Sequence, residues 1–325
     1  MRRRADRWMM AAILAATLAV DARAEPYPAR PITLVCPLAA GSTTDIIARV
    51  IAGELSRTLG QSVIVDDRPG AGGTIAMRQV AKAPPDGYTI VFGTNSTLAI
   101  NIGLYAKPGY DPVKDFAPIL NVATSSNVLI VNPRGGIGSV AALIARAKAE
   151  PGKLTFSSGG NGTTHHLSAA LLDKLAGIET IHVPYKGAPE GINAVISGEV
   201  TFGFFNTPNV VGLAREGTVK GLAVTSTTRS PLLPDLPTMV EAGVPGYETT
   251  VSFGLLAPAG TQEPIVTRLH DDVVKILADA DLRAKLTAQG YDLLPPTPPS
   301  GFADQIKADI AKWVPIVHAS GAVVD

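Results

Sequence analysis

The segment spanning residues 36–50 reads CPLAAGSTTDIIARV, a few apolar residues ending in Pro37, a run of small residues, then a pattern carrying Asp45 and Arg49. Just before it, Ile32 to Val35 form a short run typical of a buried strand. Beyond Asp45 the apolar residues Ile46, Ile47, Val50, Ile51 and Leu55 recur at helical spacing, and Gly60 supplies a C-terminal stop. The segment is therefore a strand end, a small-residue loop and a helix N-terminus. The same junction recurs three times. Tyr88 to Phe92 leads into Gly93-Thr94-Asn95-Ser96-Thr97, and Leu154 to Phe156 leads into Ser157-Ser158-Gly159-Gly160-Asn161-Gly162-Thr163-Thr164-His165. Val200 to Phe205 leads into Asn206-Thr207-Pro208-Asn209, with Pro208 suited to a first helical turn.

These runs, with Val63 to Val65, Val128 to Val131 and Ile181 to Val183, alternate with helical patterns. The order predicts an α/β chain with parallel sheets covered by helices. In open α/β sheets, ligands bind at the carboxyl ends of strands, where all four junctions lie. Two junctions come from the first third of the chain and two from the middle, so the expectation is two lobes facing each other across a cleft.

Helix N-termini present unpaired backbone N–H groups and partial positive charge, so small residues there let an anion approach without any cationic side chain. Hydroxyls of Ser42, Thr43, Ser157, Ser158, Thr163 and Thr164 add donors. Helix capping explains one such junction alone; four together predict a shared pocket for a carboxylate. Asp45 would repel an anion on its own turn, so its expected part is to hydrogen-bond and shape the loop backbone.

The chain's ends and its composition bound the answer. Residues 1–8, MRRRADRW, are basic, residues 9–20 are apolar, and Ala22-Arg23-Ala24 is an A-x-A cleavage site. A membrane anchor needs about 20 apolar residues, and this run ends at Asp21. Residues 1–24 are thus read as a cleaved signal peptide, giving an exported, periplasmic protein that starts at Glu25. Lys plus Arg and Asp plus Glu both number 28, so no basic excess recruits nucleic acid or an anionic membrane. Cys36 is the only cysteine, which rules out an intramolecular disulfide and reads as a small buried residue.

Signatures of catalysis are missing. There is no G-x-S-x-G elbow, no phosphate-binding G-x-x-x-x-G-K-[ST] and no H-E-x-x-H in the sequence. Gly136-Ile137-Gly138-Ser139-Val140-Ala141 matches G-x-G-x-x-A, but about 20 residues on, Thr155 to Ser158 replace the ribose-binding acid. No metal-ligand cluster and no cofactor motif stands out. His165 is expected to cap or line the pocket, His182 to be structural, and Ser157 or Ser158 with His165 is the one conceivable hydrolase pairing.

Several longer motifs carry a family resemblance: Asp67-Arg68-Pro69-Gly70-Ala71-Gly72-Gly73, Ala81-Lys82-Ala83-Pro84-Pro85-Asp86-Gly87-Tyr88-Thr89, Tyr110-Asp111-Pro112-Val113-Lys114-Asp115-Phe116-Ala117-Pro118 and Val183-Pro184-Tyr185-Lys186-Gly187. Leu236-Pro237-Thr238, Glu241-Ala242-Gly243 and Ala257-Pro258-Ala259-Gly260-Thr261 extend it. From Tyr27-Pro28 to Trp313 the chain resembles the Bug family, the extracytoplasmic solute receptors of tripartite tricarboxylate transporters. The resemblance implies a periplasmic-binding-protein-like Venus flytrap (type II), two α/β lobes closing on a carboxylated solute. It implies that the ligand is held by the loops Ala39 to Thr43 and Ser157 to His165, largely through backbone amides and small polar side chains. Two departures are visible: Gly41-Ser42 stands where the family usually has two glycines, and Phe204-Phe205-Asn206 stands where many members place an acid.

The combined expectation is a monomeric receptor for a small organic carboxylate, presented to integral membrane transporter subunits. Its lobe 1 comprises residues 25–124 plus 251–325, and its lobe 2 residues 125–250. The ligand-binding set is Ala39, Ala40, Gly41, Ser42, Thr43, Asp45, Asn95, Ser157, Ser158, Gly159, Thr163, Thr164, His165, Tyr185 and Asn206. The rivals are a carboxylate receptor reporting to a membrane sensor kinase and the hydrolase named above.

Overall fold

A computed structural model describes residues 27–320; the proposed signal peptide lies outside the described residues. In chain order the strands are β1 (Ile32–Cys36), β2 (Val63–Asp67), β3 (Thr89–Thr94), β4 (Phe116–Val131), β5 (Thr155–Ser158), β6 (Ile181–Pro184), β7 (Phe202–Asn206), β8 (Lys220–Val224), β9 (Thr250–Pro258) and β10 (Asp292–Leu293). The helices are α1 (Thr43–Leu59), α2 (Thr74–Val80), α3 (Asn101–Leu104), α4 (Val140–Ala149), α5 (Thr164–Ala176), α6 (Ala188–Ser197), α7 (Thr207–Arg215), α8 (Glu263–Leu277), α9 (Ala280–Gln289) and α10 (Pro299–Ser320). A π-helical turn, Ser96–Ile100, leads into α3.

β1 and α1 form as their sequence dictates. In β1 the side chains of Ile32, Leu34, Val35 and Cys36 are buried on both faces, as in a central parallel strand. In α1, Ile47, Ala48, Ile51, Ala52 and Leu55 form the buried stripe. Ser42 caps the helix by accepting from the Asp45 amide, and Gly60 ends it at φ 65°, a left-handed conformation that favours glycine.

The strands join in the order β2-β1-β3-β9-β4-β7-β5-β6, with β8 and β10 also paired to β4. The expectation of parallel sheets holds for β1 with β2 and β3, and for β5 with β6 and β7. It fails for β4 and β9, which run antiparallel to each other and to their neighbours β3, β7, β8 and β10. The reason lies in the length of β4. Its first part, through Ser126, pairs with β9, and from Asn127 onward the same strand pairs with β7 and β8. One strand therefore threads two sheet halves, and β9 returns beside it.

Each half has its own core. Ile32, Leu34, Ile47, Ile51, Phe92, Leu120, Phe253, Val273 and Tyr291 pack together with the half that contains both described chain ends. Leu129, Leu143, Phe156, Leu172, Phe202, Phe204, Met239 and Tyr247 form the main core of the other half, drawn entirely from residues after Asn127. Where the halves meet, Leu167 of α5 packs with Ala99, Ile100, Leu104, Trp313 and Val317. No described helix is long and apolar enough to cross a membrane.

Candidate functional site

Between the two halves lies a cavity of about 20 Å³ lined by Leu38, Ala39, Ser42, Thr43, Gly159, Thr163, His165, Gly187, Ala188 and Asn206. Each helix that reaches it does so with its N-terminal end: Ser42 and Thr43 begin α1, Thr163 and His165 begin α5, Gly187 and Ala188 begin α6, and Asn206 caps α7. A volume of this size holds about one water molecule. It adjoins a wider opening of about 550 Å³ lined by Leu38, Pro69 to Gly73, Tyr105, Gly159 to Asn161, Pro184, Tyr185 and Lys186. Leu38 and Gly159 belong to both linings, so the small cavity is the inner recess of one cleft.

Asp45 shapes the first loop. Its Oδ2 accepts from the Gly41 amide at 2.8 Å, closing the loop over the first turn of α1. Gly41 sits at φ 76°, so this is the one position of the Gly41-Ser42 pair where glycine is required, and Ser42 uses its hydroxyl for the cap. The negative charge of Asp45 is met by Arg49, whose Nε lies 2.6 Å from Asp45 Oδ1 and whose other arm reaches Asp67 at 2.5 Å. That pairing offsets the repulsion Asp45 would exert on an anion at the same helix end.

His165 anchors the second loop. The Gly159 N–H donates to its Nδ1 at 3.2 Å, so the neutral ring carries its proton on Nε2 and donates it to Asn206 Oδ1 at 2.9 Å. Asn206 Nδ2 then donates to Asn127 Oδ1 at 2.7 Å, and Asn127 Nδ2 donates to Ser168 Oγ at 3.0 Å. The Ser168 hydroxyl shares a 2.7 Å hydrogen bond with the Thr249 hydroxyl. A buried chain of donors thus runs one way from the cleft loop through Asn127 to Ser168, and a further hydrogen bond joins it to Thr249, beside the strands that link the halves. Burial holds the His165 pKa down at about 4, with the Asn206 bond opposing in part, so the ring stays neutral as the chain demands.

Of the residues expected to bind ligand, Ala39, Ser42, Thr43, Gly159, Thr163, His165 and Asn206 line the inner recess. Ala40 and Gly41 lie in the same loop, and Asp45 acts behind it. Tyr185 lines the outer opening, with its phenol donating to Glu199 at 2.9 Å. Asn95 is placed elsewhere: its amide donates to the Thr250 carbonyl and accepts from the Ser252 amide, tying the β3 end to β9. Thr164 is buried in the first turn of α5 and does not line the recess.

The serine–histidine pairing envisaged for a hydrolase is not formed. Ser157 donates to the Gly191 carbonyl at 2.8 Å, and Ser158 shares a 2.7 Å hydrogen bond with His182, not His165. His182 stacks on both Phe156 and His166, and burial first, then the neighbouring His166, lowers its pKa to about 3. No acid backs this ring among its hydrogen bonds in the described residues. The Cys36 thiol is fully buried and burial raises its pKa, which makes it a packing residue.

In the β6–α6 turn, sequence reasoning chose Tyr185 but missed Gly187 and Ala188. Gly187 and Ala188 complete the recess, and the signal was present in Val183-Pro184-Tyr185-Lys186-Gly187 followed by a proline-containing helix start. Asn209 was also missed. From the first turn of α7 its Nδ2 donates to the Gly41 carbonyl at 2.9 Å, and its Oδ1 accepts from the Thr43 hydroxyl.

Comparison with known proteins shows the family. Residues 47–322 match the model of the tripartite tricarboxylate transporter family receptor. Protein BugT of Bordetella pertussis is 34% identical over 313 residues, covering 95% of each chain. The solved structure of R. palustris Rpa4515 with adipate is 39% identical with a TM-score of 0.88, covering 92% of this chain and 100% of that one. MatC (Rpa3494) from Rhodopseudomonas palustris with bound malate is 33% identical with a TM-score of 0.86, covering 90% and 100%. With the fold, the cleft and these likenesses in agreement, the chain belongs to the receptor family of the tripartite tricarboxylate transporters, the Bug-type solute receptors.

Proposed function

We propose that this protein is a periplasmic receptor that captures a small organic carboxylate in the cleft and presents it to membrane transporter subunits. The observation that carries the proposal is the convergence of four helix N-termini on one recess with no cationic side chain in its lining. Amide donors and helix dipoles hold a carboxylate, or a water bridging to it, without a fixed counter-charge. The wider opening, with Tyr105, Tyr185 and Lys186 on its wall, takes the rest of the molecule. Adipate in Rpa4515 and malate in MatC make dicarboxylates the first ligands to test.

In this reading the halves are two closing lobes, residues 25–124 with 251–325 and residues 125–250. The change of β4 partners between Ser126 and Asn127 supports that division to within a few residues. Residues 1–24 direct export, and the receptor works as a monomer that holds its ligand unchanged. The separate engagements of Ser157, Ser158 and His165 support binding without turnover.

The test is a thermal-shift screen of the refolded, ligand-free mature protein against mono-, di- and tricarboxylates, including adipate and malate. A ligand at about 100 times its Kd stabilises the native state by about 2.7 kcal/mol, a readily visible shift. Stabilisation by one acid class supports the reading, and recovery of a chemically altered ligand would overturn it.

A further inference from the structure

We propose that Asn209 is a latch for the closed form, adding to the affinity for every ligand by the same factor. The inference rests on the two-lobe closing reading above. Asn209 lies in the half that follows Asn127, whereas both its partners, the Gly41 carbonyl and the Thr43 hydroxyl, lie in the loop of the other half. The two hydrogen bonds span more than 160 positions of chain, with sequence separations of 168 and 166. They exist only while the halves are together. Asn209 lines neither the inner recess nor the outer opening, so it holds the receptor's own Gly41 and Thr43, the latter at the recess edge, without itself lining the ligand space. Tyr291 steadies the loop from behind, donating to the Thr43 carbonyl at 2.7 Å.

A second feature of the same seam supports closure by shape. Gly187 has extended dihedrals, φ −170° and ψ 169°, which any residue adopts. A Cβ built there would nevertheless stand 2.8 Å from the Cβ of Ala39 in the facing half. The absent side chain at 187 is therefore needed for closing and is not demanded by the local backbone. Asn209 supplies attraction at the seam, and Gly187 supplies clearance.

Ligand binding draws only on the difference between closed and open forms. Removing two net-favourable hydrogen bonds from the closed form alone raises Kd by about tenfold. The loss appears mainly as faster dissociation.

The experiment uses the full mature chain with spin labels on the outer faces of the two halves, comparing wild type, Asn209→Ala and Gly187→Ala. Distance distributions are recorded without ligand and with adipate or malate, and Kd and dissociation rates are measured for each acid that binds. The expected result is a smaller short-distance population in both variants. For Asn209→Ala it includes the same roughly tenfold rise in Kd for each acid. Identical distances and affinities in Asn209→Ala and wild type would overturn the latch, as would a rise that differs from acid to acid, which would make Asn209 a ligand contact. A wild type with no short-distance population under any condition would overturn it too. If neither acid binds wild type, the ligand reading suffers while the ligand-free distances still judge the latch.

Discussion

At the scale of single residues, His165 shows how burial and hydrogen-bond direction fix a protonation state. Its Nδ1 accepts from Gly159, so a proton there would break the loop contact and place a charge in a site without a counter-ion. Because burial lowers its folded pKa to about 4 from an ordinary 6.5, the unfolded chain binds more protons between those values. Stability is full above pH 6.5 and falls as the pH drops towards 4, by about 3 kcal/mol from His165 alone. His166 and His182, also lowered by burial, add to the same slope. Asp173 opposes it, since burial raises its pKa to about 6 and its contribution is lost as pH rises through that value. Asp67, Asp292 and Asp309, whose pKa values burial also raises, oppose it in the same way, so the prediction is comparative: between pH 6.5 and 4 the Tm of ligand-free His165→Gln falls less steeply with falling pH than that of wild type. An equal slope in both proteins would show that His165 does not titrate as its surroundings require. That His165 caps or lines the pocket was legible from its place at the opening of a predicted helix; its neutral state was not, and its partner Asn206, 41 positions away, was legible only as another loop residue.

At the scale of elements, the strand-loop-helix junctions were legible because local signals specify them. The spacing of Ile47, Ile51 and Leu55, the Ser42 cap and the Gly60 stop all act within one helix. β9 and the part of β4 before Val128 were not, because what distinguishes them is their partners. The stretch Phe116 to Asn127 mixes Pro118, Asn121, Ser125 and Ser126 with apolar residues, and its pairing with β9 shifts register twice, so no clean alternation reaches the sequence. The polar residues have a structural use at the point where the strand changes partners. Asn127 is fully buried, its backbone N–H donates to Thr225 Oγ1 at 2.8 Å, and its side chain joins Asn206 to Ser168. Asn127→Ala leaves the Asn206 amide without its acceptor in a dry setting and is expected to cost about 2 to 4 kcal/mol. Urea unfolding measures this directly. A midpoint within error of wild type would mean that the donor chain adds nothing to stability.

At the scale of the whole molecule, the cleft divides into an inner recess built of helix N-termini and a wider opening walled by loops of both halves. The recess is made of helix ends, and most of its lining was foreseen, because glycine, serine and threonine at strand ends announce a backbone site. The opening draws on Pro69 to Gly73, Tyr105 and Lys186, whose neighbourhood depends on how the halves meet and could not be ordered from spacing. The path of the chain has a consequence in time as well as in space. The second core is drawn from one continuous stretch after Asn127, whereas the first needs β1, β3 and the start of β4 from one end and β9 with α8 from the other. Closing that long loop is entropically slower than assembling a continuous segment. On refolding from urea with pulsed hydrogen exchange, amides of β5 and β7 should gain protection before those shared by β3 and β9; simultaneous protection would contradict this order. Such a chain would complete its middle first and be finished only when its closing segment, from β9 onward, returns to the strands with which it began.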